Sequence, residues 1–169
     1  DGWEPVGIYR RDDVVCASFL TSRWPVNSIA IHPGEHLVAI GTGCYDGGYA
    51  FEGELLIHDL ERGTTRSVLH ESRTVQRVSW LDGETLEVTM PPPTDDDLDL
   101  DWTQIPYETV RLTSPDWGSL DDRTVGLQGL EARPARPPAP IDNEMLNGLL
   151  PRLGVAAGPV WQQRRQAWA

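Results

Sequence analysis

The chain has 169 residues, 39% of them hydrophobic, with 16 Gly, 14 Pro and 24% charged residues, which suits one domain of short strands and turns plus an appendage and excludes a helical bundle. Its 26 acidic residues outnumber 14 basic ones, all arginine, for a net charge of −12, which repels phosphate backbones and anionic bilayers and so argues against nucleic acid and membrane surfaces as partners. No stretch approaches the ~20 apolar residues of a membrane span and no basic-then-apolar leader precedes the first strand, so a cytoplasmic protein is expected, with Asp1 marking a processed or excised product.

In chain order, Val6–Tyr9 and Val14–Leu20 read as strands, followed by Val26–Ile31, a turn at His32-Pro33-Gly34 and the continuous apolar run Leu37–Gly41. A run of that kind is expected of an interior strand covered on both faces. Glu54–Leu60 supplies the next strand, Arg62-Gly63 a turn and Thr65–Leu69 a further strand. Then come Val75–Trp80, a turn at Asp82-Gly83, the alternating Thr85–Met90 and Tyr107–Leu112.

These strands repeat. Val26, Ile29, Ile31, Gly34, Glu35 and Leu37 recur 49 residues later as Val75, Val78, Trp80, Gly83, Glu84 and Leu86. The same spacing pairs Ile8 with Ile57 and Leu20 with Leu69, and it lines up Tyr9, His58 and Tyr107. A fixed period of this length is the mark of solenoids and propellers. The runs VNSIAIHPGEHLVAIGTG and GELLIHDLERG resemble WD-repeat blades, with His58-Asp59 standing where that family has its Trp-Asp pair. The resemblance covers roughly residues 3–112 and implies an all-β fold of propeller-type four-stranded blades. It departs at His58, at Tyr107-Glu108 in the third unit, and in lacking a Gly-His pair ahead of either first strand.

Closed propellers use ~4–8 blades, whereas residues 1–130 supply about two and a half. The propeller is therefore incomplete, and its open edges are expected to recruit other strands. Self-association, a protein partner, or membership of a longer polypeptide would each complete it.

Two loops are candidate contact surfaces. Thr42–Gly53 inserts Tyr45, Asp46, Tyr49 and Phe51 between strands, and aromatic loops on a rigid frame favour protein contact. Its counterpart, MPPPTDDDLDLDW, gathers Asp95, Asp96, Asp97, Asp99 and Asp101 ahead of Trp102. The aspartate spacing lacks the glycine and closing glutamate of a helix–loop–helix calcium site, so it reads as a solvated acidic loop or a dock for a basic partner.

No catalytic, metal or cofactor constellation is found. His32, His36, His58 and His70 lack zinc-ligand spacing, there is no Gly-x-Ser-x-Gly elbow, and the lysine of a phosphate-binding loop is missing. Cys16 and Cys44 are too few for a disulfide framework and read as reduced thiols.

Residues 131–141, ARPARPPAP with its flanks, read as a proline-rich linker without strand signal. Residues 142–169 read as a tail of short helices ending in Trp161 and Trp168, a further candidate contact. The tail carries three acidic and five basic residues against an acidic body. The leading expectation is a non-catalytic protein-interaction scaffold. A glycan-binding, lectin-like oligomer that stacks sugars on Trp and Tyr is the alternative, and a regulatory piece of an enzyme the third.

Overall fold

In the computed structural model, residues 4–9, 16–45, 51–93 and 105–136 are described. They form antiparallel β-structure with almost no helix. The strands are β1 (Glu4–Tyr9), β2 (Cys16–Ser22), β3 (Val26–Ile31), β4 (Leu37–Thr42), β5 (Cys44–Tyr45), β6 (Phe51–Glu52), β7 (Leu55–Asp59), β8 (Thr64–Ser67), β9 (Arg77–Trp80), β10 (Thr85–Met90), β11 (Tyr107–Thr113) and β12 (Arg133–Ala135).

Two four-stranded meanders dominate, sheet I in the order β3-β4-β7-β8 and sheet II in the order β9-β10-β11-β12. The hairpin β1-β2 and the short pair β5-β6 are two-stranded. All described residues fall in one compact unit.

Sheet I is a filling between two layers. Alternation along its strands sends Leu37, Ala39, Leu55 and Ile57 to one face, where they meet Val78, Leu86, Val88, Met90, Val110 and Leu112 of sheet II. The opposite face carries Val38, Ile40 and Leu56, which pack under Leu20, Val6 and Ile8 of the hairpin. This double cover explains β4, in which all six residues are buried.

The turns follow their residues. Gly63 takes φ +65° between β7 and β8, and Asp82 Oδ1 accepts the Glu84 and Thr85 N–H groups at 2.8 and 2.6 Å to fold the β9–β10 turn. After β11 the chain does not enter a fourth strand at once. Residues 114–127 cross back to sheet I: Trp117 opens a short 3-10 turn capped by Asp116, Arg66 Nη1 donates to the Gly118 and Leu120 carbonyls, and Arg123 and Val125 donate backbone N–H to Ser67 and Val68 carbonyls. The Leu69–Val125 bridge is parallel. This clasp covers the outer edge of β8, the kind of edge that otherwise invites foreign strands.

The structure corrects three readings. Arg133–Ala135, expected in a linker without strand signal, pairs with Tyr107–Thr109 as the last strand of sheet II. Pro134 is tolerated there because β12 is an edge strand. The strand expected at Thr65–Leu69 ends at Ser67, since Val68 and Leu69 turn to meet the clasp. Finally, register sets Val38 opposite His58 and its repeat counterpart Glu87 opposite Arg111, so the counterpart of His58 in sheet II is Arg111 and not Tyr107. The clasp inserts residues where the 49-residue spacing would place the next strand.

Candidate functional site

The face of sheet I that carries the hairpin is only partly covered. On β3, Ile29 pairs with Ile40 and Ile31 with Val38, so both isoleucines project to the hairpin side. They are nevertheless 51% and 62% exposed. Across the sheet I–sheet II interface the equivalent residues are Val78, 5% exposed, and the half-buried Trp80. Sheet I covers them: Val78 N donates to Ser28 Oγ at 3.2 Å, and Trp80 Nε1 donates to the Ala30 carbonyl at 3.1 Å. Phe19, 61% exposed, stands on the outer face of β2, opposite in direction to the buried Leu20. Exposed apolar side chains are ordinary singly; Ile29 and Ile31, two residues apart on one face of β3, lie together on a half-built interface.

One polar chain fixes the hairpin over that face. His58 is fully buried and bonds through both ring nitrogens, Nε2 to Ser18 Oγ of β2 at 2.6 Å and Nδ1 to Thr65 Oγ1 of β8 at 2.8 Å. Burial holds its pKa below the ordinary histidine range, opposed by the neighbouring Asp59 charge. Asp59, in turn, accepts the Arg62 and Glu61 N–H groups at 2.9 Å each, and the bond from Arg62 N–H leads the effects that hold its carboxyl below the usual range. A serine hydroxyl on a histidine invites comparison with a nucleophile and its base, but this ring has no exposed atom to receive a substrate. The arrangement ties sheets together.

His32, Trp80 and Trp117 are also consumed by packing. His32 Nδ1 accepts Gly34 N–H at 2.9 Å and Nε2 bonds the Gly83 carbonyl at 2.8 Å, joining the turn tips of the two sheets. Its ring meets Trp80 edge to face, and Trp80 meets Trp117 likewise. Trp117 is 3% exposed and donates to the Glu84 carbonyl, so it offers no platform for a sugar ring. A shallow cavity of about 100 Å³ between Arg23, Trp24, Glu52, Glu54, Glu71 and Arg123 is well below the ~300 Å³ of ordinary ligand pockets. Among the described residues no three metal-ligating side chains come together, and no helix is long and apolar enough to cross a membrane.

Of the expected contact residues, Phe51 is 5% exposed. Tyr45 lies on β5. Asp46, Tyr49, Asp95, Asp96, Asp97, Asp99, Asp101, Trp102, Trp161 and Trp168 lie outside the described residues, as do residues 137–169 with the expected short helices. The root of the acidic loop is anchored: Arg73 donates twice to the Pro91 carbonyl, at 2.7 and 3.1 Å. The residues missed in the sequence are Phe19, Ile29 and Ile31. Alternation marks their strands but cannot say which face lacks a cover.

No family model matches the chain, and no curated protein or solved structure is significantly similar to it.

Proposed function

We propose that this chain is a non-catalytic protein-interaction module of propeller type, in which sheets I and II are two successive blades and the β1-β2 hairpin is the outer half of a third. The observation that carries the reading is the half-covered face of sheet I, where Ile29 and Ile31 stay exposed although their counterparts in sheet II are shielded. An open interface of this kind is a binding surface by its own physics, because apolar area left in water is recovered on association at ~25 cal/mol per Å² before the costs of binding. The single buried histidine with hydroxyl partners gives no support to a catalytic reading.

Native mass spectrometry and cross-linking of the chain isolated from its source test this. The expected result is a stable complex with at least one other protein. A folded, stable monomer that takes up nothing from its source would overturn it.

A further inference from the structure

We propose that His58 is an acid-sensitive latch: protonation of its ring parts β2 from sheet I while the packing between sheets I and II holds. This goes beyond the interaction-module reading and does not depend on it. Three features of the seam between β2 and sheet I carry the proposal.

The first is the placement of the ring. His58 has no exposed surface; Nε2 reaches across the seam to Ser18 Oγ at 2.6 Å, and Nδ1 meets Thr65 Oγ1 at 2.8 Å within sheet I. A neutral imidazole has one donor and one acceptor nitrogen, so one hydroxyl donates to the ring and the other accepts from it. Added acid makes both nitrogens donors. The hydroxyl that donated must then turn its O–H away, in a seam whose buried side chains are apolar.

The second is the lack of a carboxylate against the ring. Val38 lies opposite His58 on β4, Thr65 opposite it on β8, and Ser18 meets it from β2 with Ile8 opposite on β1. None of these titrates. Asp59, the next residue of β7, is the charge that acts on the ring, but neighbouring residues of a strand point to opposite faces. Its carboxylate accepts the Glu61 and Arg62 N–H groups and pairs with the Arg62 guanidinium at 3.4 Å. Burial therefore outweighs Asp59 and holds the ring in its neutral form.

The third is the contrast between the two seams. Among the described residues, the β2 seam buries four apolar residues, Leu20, Val38, Ile40 and Leu56, against fourteen in the core that sheets I and II share. The strands of sheets I and II are linked by Ser28 to Val78 N–H, by Trp80 to the Ala30 carbonyl and by Asn27 to the Val75 carbonyl, groups that carry no charge at any ordinary pH. His32 joins only the exposed turn tips. Acid thus acts on the smaller seam. Once β2 parts from the ring, His58 regains the ordinary histidine value of about 6.5. The open form takes up the proton first as pH falls below that value, and opening grows toward the depressed value of the closed form.

Hydrogen exchange of the full chain at pH 7 and pH 5, normalised for the intrinsic pH dependence of amide exchange, tests this. Protection of residues 16–22 should fall on the order of tenfold at pH 5, while residues 85–90 and 107–113 keep theirs. In His58→Gln, residues 16–22 should be equally protected at both pH values. The other three histidines are His32, His36 and His70. A chain carrying His32→Gln, His36→Gln and His70→Gln should open in acid as the unaltered chain does, and it decides the matter where His58→Gln does not fold. Unchanged protection of residues 16–22 at pH 5 overturns the proposal, and so does loss at all segments together, which would be global unfolding. An acid response that survives His58→Gln, or that vanishes in the triple variant, assigns the switch to another group and overturns it as well. Exchange is read on the chain alone, so a chain that binds no protein would defeat the interaction-module reading and leave this test intact.

Discussion

His58 links the chemistry of a single ring to the seating of the hairpin. Its folded pKa lies below the ordinary histidine value of about 6.5, so the unfolded chain takes up a proton first as pH falls. Stability is therefore full above about pH 6.5 and declines as pH drops from there toward the depressed folded value. Thermal melts at pH 7 and pH 5 should show a fall in Tm on acidification, and His58→Gln, which keeps hydrogen-bonding capacity without the titration, should show a smaller fall. Gly41 makes a second prediction. A Cβ there would meet Val75 Cγ1 at 2.6 Å and the Val75 carbonyl at 2.8 Å, so Gly41→Ala should cost about 1–3 kcal/mol in urea denaturation by forcing β4 away from the start of sheet II. Neither role was legible in the sequence. His58 stood out as a substitute for a tryptophan, but its partner Ser18 lies 40 residues away in the hairpin, and no local pattern announces that pairing across sheets; Thr65, 7 residues on, faces it within sheet I.

Strands were more legible than their partners. β3 and β10 occupy the residues expected from alternation and turn chemistry, because period-two patterning and the His32-Pro33-Gly34 and Asp82-Gly83 turns act locally. β12 was missed because Pro134 lies within its three residues and only the neighbouring β11 makes it a strand. The clasp at 114–127 was missed for a related reason: its bonds to Ser67, Val68 and Arg66 join segments some fifty residues apart. It predicts a difference between two truncations. Ending the chain after Arg136 should leave sheets I and II intact by circular dichroism. Ending it after Thr113 removes both β12 and the cover of β8, and should give an aggregating product with weakened strand signal, since an open edge pairs with other chains. Equal solubility of the two would show that β8 needs no cover.

For the whole molecule, the repeat period located the layers, while the unequal character of the two end faces came only from the structure. Composition could report that the chain is acidic and rich in turns; it could not report that polar residues collect on the outer face of sheet II and isoleucines on the open side of sheet I. The clasp also sets a timetable. Sheet I ends at Ser67, yet the residues that close its outer edge run to Val125, so at 5–20 residues per second the ribosome needs on the order of 3–12 s to deliver them. Through that interval β8 is a naked edge on a tethered nascent chain, and codons that slow translation between these points should lower the soluble yield without changing a single amino acid.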